Sequence, residues 1–217
     1  MNSGVVDVKY SKNLPGHNYP FDLTSDEFQA VISSLIGDGY MNYPNKSSNF
    51  PRLQWNMGNK MHAEYKRDFF SRFDAVMREC ENPGWGSEWF QVRTPCLPAF
   101  VDIYSEFRID DKVERARKIF PLLNDVGWAW FYGDDGHYCS NKKLAFLHTE
   151  GLGEEGSGIC LECLNGYLGM DSGKVDCYLG GTPKKERYMV RLNRGGSDEF
   201  IKRIKKHMAK GVEYKTS

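Results

Sequence analysis

The sequence predicts a mixed α/β protein in which one αββαββα unit of secondary structure occurs twice. Helical and strand-like hydrophobic patterns follow one another in the same order in both halves of the 217 residues. Two similar helical segments end in Asp-Gly, with Asp38 and Asp135 lying 97 positions apart. The strand-like segments alternate polar and apolar residues, which is typical of antiparallel sheets with one solvated face.

The composition indicates a folded protein with a hydrophobic core. It is 40% hydrophobic, 14% aromatic and 27% charged, which excludes a disordered or low-complexity chain. No uncharged apolar run approaches the ~18 residues of a membrane span, and the N-terminal residues have no signal-peptide pattern. Six cysteines are too few for a disulfide scaffold. We therefore expect an intracellular protein with no membrane partner.

The first half begins with a helix and then gives strand and helix patterns. Thr24 and Glu27 form a capping box at the start of an apolar helix that ends before Gly37. Two alternating segments follow, and a second helix comes next. Strand-like segments and a short basic helix complete this half. The predicted strands are 40–45, 50–57, 88–94 and 100–109, and the later helices are 60–77 and 112–118.

The second half repeats this order. The predicted helices are 125–134, 154–168 and 197–208, and the predicted strands are 144–149, 175–179 and 187–192. We divide the chain into a flexible arm over residues 1–20, a first repeat over 21–115 and a second repeat over 116–217.

The net charge is zero, but the charges are unevenly distributed. From Lys174 to the C-terminus there are twelve cationic and five acidic residues, and residues 41–78 contain seven cationic and three acidic ones. Two basic regions on an otherwise acidic chain favour binding to a polyanion. Solvated helix faces are the alternative explanation for the C-terminal region.

The two Asp-Gly segments are the most specific chemical signal. Residues 31–39 read VISSLIGDG and residues 128–136 read WAWFYGDDG. Small residues near the ends of both helices would allow close packing, which would bring the two aspartates together. Adjacent carboxylates repel unless a proton or a cation such as Mg²⁺ lies between them. For either segment alone, a helix C-cap followed by a turn is the simpler interpretation.

These segments resemble the two motif copies of the LAGLIDADG homing endonucleases, in the branch whose single chains contain both motifs. The resemblance implies the duplicated homing-endonuclease fold, with Asp38 and Asp135 as metal ligands and catalytic residues. The backbone carbonyls of Gly37 and Asp134 would be further ligands, and Lys118 and Lys215 would lie by the active site. Mg²⁺ is the expected cofactor. Mn²⁺ is expected to substitute for it, and Ca²⁺ to support binding without cleavage.

The resemblance further implies a monomer that binds a long, asymmetric double-stranded DNA site and cleaves one phosphodiester per strand, leaving short 3′ overhangs. Outward-facing strand residues suited to reading base edges are Asn42, Arg52, Gln54, Asn56, Gln91, Arg93, Lys174, Asp176, Tyr178, Arg187, Arg191 and Asn193. Loop lysines suited to phosphate contacts are Lys46, Lys142, Lys143, Lys184 and Lys185. The alternatives are an RNA maturase or transcription factor without cleavage activity, and a protein-interaction domain.

Overall fold

The structure is a computed structural model that describes residues 22–81 and 88–217. The predicted arm over residues 1–20 lies outside them. The described residues form two compact units, and the chain passes from the first to the second between Arg108 and Ile109. In these two stretches no helix is both long and apolar enough to cross a membrane.

The described part of the first unit contains three α-helices and one antiparallel sheet. Its elements are α1 (Ser25–Ile36), β1 (Gly39–Asn42), β2 (Arg52–Met57), α2 (Lys60–Phe69), β3 (Val76–Glu81), β4 (Glu88–Arg93) and α3 (Val101–Phe107). The strand order is β1-β2-β4-β3. Helix α2 packs against the β2, β3 and β4 strands, and α1 packs against β1 and α3. The apolar core lies between the helices and one face of this sheet.

The second unit repeats the same order after one additional helix. Its elements are α4 (Lys112–Ile119), α5 (Asp125–Asp135), β5 (Gly136–Cys139), β6 (Leu144–Leu147), α6 (Gly153–Leu168), β7 (Gly173–Gly180), β8 (Lys185–Leu192) and α7 (Arg194–Ile204). The strand order β5-β6-β8-β7 corresponds to that of the first sheet. The predicted α/β fold with a duplicated αββαββα unit is confirmed.

The prediction of one helix over 60–77 is wrong beyond Phe69. Helix α2 ends there, a short 3₁₀ turn follows, and Asp74 adopts a left-handed conformation with φ of 57°. This conformation ends the helical path, and β3 begins at Val76. β3 pairs along its whole length with β4. Sequence periodicity missed this strand because aromatic residues continue at helical spacing across the turn.

The prediction of a strand over 100–109 is also wrong. Pro98 begins a 3₁₀ turn that leads directly into α3. The residues of α3 do alternate in polarity, but Ile103 and Phe107 are buried one helical turn apart. Helix α3 therefore closes the first repeat, while the basic helix α4 belongs to the second unit.

Local interactions explain where α1 begins and how it is attached to β2. The capping box is present: the Glu27 backbone N–H donates to Thr24 Oγ1, and the Thr24 N–H donates to Glu27. Inside the unit, the Trp55 indole N–H donates to Ser34 Oγ over 3.0 Å. Ser34 in turn donates to the carbonyl of Ala30. A buried indole is thereby joined to α1 through a satisfied hydrogen bond.

Candidate active site and nucleic-acid face

In the first unit, the predicted acid lies where the long helix meets the sheet. Helix α1 ends at Ile36 with Gly37 as its C-cap, Asp38 is exposed, and β1 starts at Gly39. A β-carbon on Gly39 would lie 2.7 Å from Ser34 Cβ and 2.8 Å from the Trp55 indole nitrogen. Glycine after the aspartate is thus required because the strand leaves the helix at very close range.

In the second unit, Asp135 occupies the corresponding position. It is the last residue of α5, and β5 begins at the next residue, Gly136. The Asp135 carbonyl accepts a hydrogen bond from the backbone N–H of His148 over 2.6 Å. A β-carbon on Gly136 would collide with Tyr132 of α5. The end of the helix is therefore fixed to the sheet by a backbone hydrogen bond at the acid and by close packing at the glycine that follows it.

Lys215 lies at the same helix end. Its ammonium donates to the carbonyl of Gly133 over 2.7 Å and to that of Asp134 over 3.4 Å. The Tyr132 hydroxyl donates to the Lys215 carbonyl over 2.8 Å, so the C-terminal segment is attached to α5 at two points. A cation at a helix C-terminus is favoured by the helix dipole. The structure thus brings Lys215 to the helix end that presents Asp135.

The other predicted lysine, Lys118, lies on α4. Lys118 is exposed on α4, a helix that buries Ala116 and Ile119 and packs against α6. Its neighbour Arg117 forms an ion pair with Glu155 of α6 over 2.7 Å. The structure places Lys118 on the exposed side of this helix pair.

The polar face of the first sheet combines arginines with amides. Cross-strand partners place Tyr40, Gln54, Arg93 and Val76 in one row, and Asn56, Gln91 and Arg78 in the next. Asn42 and Arg52 are paired at the end of β1 and β2. Asn56 is exposed as predicted, and its side chain accepts from Gln91 over 3.4 Å. Gln54 was expected to be exposed, but its side chain is buried although it lies on the polar face.

The polar face of the second sheet is occupied by ion pairs and rings. One row contains Lys174, Arg191, Phe146 and His137. Asp176 lies 2.6 Å from Arg191 and 3.0 Å from Lys174. The register pairs Arg187 with Tyr178 on the same face. The predicted loop lysines are all exposed, in both units: Lys46, Lys142, Lys143, Lys184 and Lys185.

Asn193 lies beyond the strand. It is the N-cap of α7, where its Oδ1 accepts from the Gly196 N–H over 2.8 Å. Its amide also donates to the carbonyl of Asp171. The structure assigns this side chain a capping role at the end of the sheet.

A chain of hydrogen bonds beside Asp135 was not predicted from the sequence. His137 Nδ1 lies 2.9 Å from His148 Nε2, and His148 Nδ1 lies 2.9 Å from Glu150. Tyr178 donates to the same Glu150 oxygen over 2.6 Å. His137 also stacks on Phe146 with ring centroids 4.6 Å apart. The histidines, which are eleven positions apart, gave no motif signal, because only the β5–β6 pairing brings them together.

The pKa values of the side chains in this hydrogen-bond chain depend on burial and on the charges of neighbouring groups. Burial, together with the nearby His148 and Lys215, lowers the pKa of His137. Burial alone would raise the pKa of Glu150, but the hydrogen bonds from Tyr178 and His148 lower it. Glu150 is thus held as an acceptor carboxylate.

The acids fit a hard divalent cation. Each helix end offers one carboxylate with neighbouring backbone carbonyls, and these are oxygen donors of the kind that Mg²⁺ prefers. Across residues 22–81 and 88–217, no group of three or more His, Cys, Asp or Glu side chains is arranged to hold a metal ion. In proteins Mg²⁺ is commonly held by one or two carboxylates that are supplemented by water and substrate phosphate.

The comparisons with known sequences connect the chain to a family. The sequence model described as the LAGLIDADG DNA endonuclease family matches residues 28–175. RecA of Mycolicibacterium chitae is 25% identical over 210 residues, which is 90% of this chain and 47% of that protein. RecA of Mycolicibacterium flavescens is 24% identical over 208 residues, with the same coverage. The chain spans about half the length of these curated relatives.

Solved structures share the fold. Full-length DUF199/WhiA from Thermatoga maritima has a TM-score of 0.51 at 10% identity, over 86% of this chain and 57% of that one. A single-substitution mutant of I-SmaMI has a TM-score of 0.50 at 15% identity, over 86% of both chains. A mutant of I-DmoI, in complex with its target DNA in the presence of magnesium, has a TM-score of 0.50 at 13% identity, over 81% of this chain and 93% of that one.

Proposed function

This chain belongs to the LAGLIDADG DNA endonuclease family, and on that basis we propose that it is a site-specific homing endonuclease. It binds a long, asymmetric double-stranded DNA site as a monomer. With a divalent cation it hydrolyses one phosphodiester in each strand and leaves short 3′ overhangs. The observation that carries the proposal is the repeated acid: Asp38 and Asp135 each connect a long apolar helix to the first strand of a four-stranded sheet.

Both helix ends place an aspartate directly before a glycine. The glycines that follow are needed for close approach, but neither aspartate side chain caps its own helix, since both lie at C-termini. A negative charge at a helix C-terminus opposes the helix dipole. Two such placements in matched positions support a functional role.

Asp38 and Asp135 would hold Mg²⁺, assisted by the carbonyls of Gly37 and Asp134. When bound, the cation lowers the pKa of water and stabilises charge on the phosphate and the leaving oxygen. Mn²⁺ would substitute, and Ca²⁺ would support binding without cleavage.

The remaining residues of the site position the substrate. The Lys215 ammonium lies at the α5 end and would stabilise negative charge that develops on a nearby phosphate. We give Lys118 the same role for the other strand. Arg, Gln and Asn on the polar sheet faces would read base edges in the major groove, and the exposed loop lysines would contact phosphates.

The test is selection and cleavage of a randomised duplex-DNA library. Wild type is compared with the double variant Asp38→Asn/Asp135→Asn. The matched control is Asp68→Asn/Asp198→Asn, which removes one exposed helix aspartate from each unit. We expect wild type and the control to bind and cut one enriched site in Mg²⁺, and the Asp38/Asp135 variant to bind that site without cutting.

Other outcomes distinguish the alternatives. Selective binding by wild type with no cleavage in Mg²⁺ or Mn²⁺ would indicate a non-cleaving nucleic-acid-binding protein, with DNA and RNA ligands compared directly. Undiminished cleavage by the Asp38/Asp135 variant would contradict the assignment of the acids. If the protein binds no nucleic acid, a protein-interaction domain would be the remaining alternative.

A further inference from the structure

The two sheets can be compared position by position because their registers correspond. Gly39 pairs with Trp55 as Gly136 pairs with Leu147, so each strand after the acid starts in the same way. One residue further along, Gln54 pairs with Arg93, and Phe146 pairs with Arg191. Arg93 and Arg191 therefore occupy corresponding places on the polar faces of β4 and β8.

The outermost strands then differ in charge at two positions. Val76 of β3 pairs with Arg93, and Lys174 of β7 pairs with Arg191. Two residues further along each outer strand, the corresponding residues are Arg78 and Asp176. The same place beside a central arginine thus carries a cation in the first unit and a carboxylate in the second.

In the first unit the arginines of this face have no acidic partner among the described residues. Burial, and then the charges of Arg78 and Arg52, lower the pKa of Arg93. Within residues 22–81 and 88–217, none of the three forms an ion pair. Neighbouring positive charges with no carboxylate between them raise the energy of the free protein. A bound partner rich in hydrogen-bond acceptors would reduce this repulsion.

Buried polar atoms on this face also lack partners. Arg52 Nε, Gln54 Oε1 and Asn42 Oδ1 are inaccessible and form no hydrogen bond within the described part of the chain. Gln54 is only 3% exposed, and it lies between Tyr40 and Arg93 in the cross-strand row. Buried polar atoms without hydrogen bonds are energetically unfavourable. Side-chain rearrangement that gives them partners on a bound ligand would therefore favour binding.

In the second unit the corresponding arginine is paired with a carboxylate, whereas Arg187 on the same face has a buried Nε that forms no hydrogen bond within the described residues. Asp176 accepts from Arg191 through both carboxylate oxygens, at 2.6 Å and 3.4 Å, and is 3.0 Å from Lys174. Glu150 is occupied by Tyr178 and His148. A guanidinium that is bound to a carboxylate must share or lose that partner before it can bind a base, and this reduces its contribution to affinity.

We infer that the two half-sites are recognised unequally: Arg52, Arg78 and Arg93 make the first unit the guanine-reading half. This deepens the proposed function and rests on it. Guanine presents two acceptors, N7 and O6, in the major groove, and they match the two parallel N–H donors of an arginine. The second face has one arginine, Arg187, whose Nε forms no hydrogen bond within the described residues, while Arg191 is bound to Asp176, so the half-site of the second unit is poorer in guanine.

The experiment is selection of bound duplexes from a randomised library in Ca²⁺, followed by binding measurements on the enriched site. Three variants are compared with wild type. Arg78→Gln removes a charge from the proposed cluster. Arg67→Gln is the matched control, because Arg67 lies on α2 in the same unit and is paired with exposed Asp68. Asp176→Asn removes the carboxylate that neutralises Arg191.

We expect the wild-type site to have its guanines concentrated in one half. Arg78→Gln should lower discrimination against the wrong base in that half by about 5- to 150-fold, with the other half unchanged. The unchanged half also serves as the control for folding. Arg67→Gln should select the wild-type site, and Asp176→Asn should acquire guanine preference in the second half.

A wild-type site with guanines spread equally over both halves would overturn the inference and leave the endonuclease function intact. Equal loss of selectivity in both halves on Arg78→Gln would overturn it as well. If wild type selects no sequence at all, the proposed function fails, and the inference fails with it.

Discussion

Replacement of Glu27 by glutamine is expected to lower the free energy of unfolding by about 2 kcal/mol at neutral pH. Glu27 is in the first turn of α1, and its side chain is only 7% exposed. Its carboxylate accepts from Nε and Nη2 of Arg72 and from the backbone N–H of Thr24. The pair thus attaches the start of α1 to the turn that precedes β3.

The magnitude follows from these contacts. Hydrogen bonds to charged groups contribute about 1.5–3 kcal/mol each, but two bonds to one guanidinium are not additive. The Arg72 side chain is 36% exposed, so water replaces part of the lost interaction. A glutamine amide keeps an acceptor for Thr24 but directs N–H donors towards the Arg72 donors. A net loss of about 2 kcal/mol results.

The same contacts predict the pH dependence. Burial by itself would raise the pKa of Glu27, but the hydrogen bonds and charge of Arg72, with those of Thr24, lower it below its usual value of 4.5. Since the pKa is lower in the folded state, the unfolded chain binds more protons in acid, and stability rises with pH. The contribution is complete above the unfolded pKa and is lost as the pH falls through the folded pKa.

The assay is urea denaturation of wild type, Glu27→Gln and the control Asp68→Asn, at about pH 7.5 and about pH 3. The control removes an acid from an exposed pair and should change stability by less than about 0.5 kcal/mol. For Glu27→Gln, the difference from wild type should fall by more than half in acid. An equal difference at both pH values would refute the role given to the ionised carboxylate.

Three further substitutions test other parts of the structure. Gly136→Ala should destabilise the protein by about 2 kcal/mol in thermal unfolding, because the new β-carbon collides with α5. Gly58→Ala, where the added β-carbon has open space, should cost less than about 0.5 kcal/mol, and equal costs would contradict the packing argument. Ser34→Ala removes the hydroxyl that accepts from the buried Trp55 indole and should lower the free energy of unfolding by about 1–3 kcal/mol. An unchanged midpoint of urea denaturation would contradict a stabilising role of this hydrogen bond. Lys215→Met should slow cleavage of the selected site by about 100-fold. Lys210→Met, at an exposed lysine, is the control and should cleave at the wild-type rate. Equal cleavage rates for Lys215→Met and wild type would contradict a role of Lys215 in the active site.

Errors in the sequence prediction occurred where a local pattern was compatible with two structures. Residues 101–107 alternate in polarity and also place Ile103 and Phe107 one helical turn apart, and the packing of α3 against α1 decides for the helix. The segment after Phe69 keeps helical spacing, but the left-handed Asp74 breaks the path. A single side-chain pattern does not contain the backbone angle that separates these outcomes.

The sequence by itself determined the features that depend on local periodicity and neighbouring residues. These are the αββαββα repeat, the capping box at Thr24, the two helix ends with Asp38 and Asp135, and the polar face of each sheet. All of them arise from spacings of a few residues, where helix and strand periods differ clearly.

Only the tertiary structure decided which charges on those faces are neutralised. Arg191 and Asp176 are separated by fifteen positions and meet because β7 and β8 pair in one register. His137 and His148 meet in the same way across β5 and β6, and Gln54 is buried on a face where its neighbours are accessible. Cross-strand register is set by the turns and by the packing of the whole sheet, and a shift of one residue would exchange every partner.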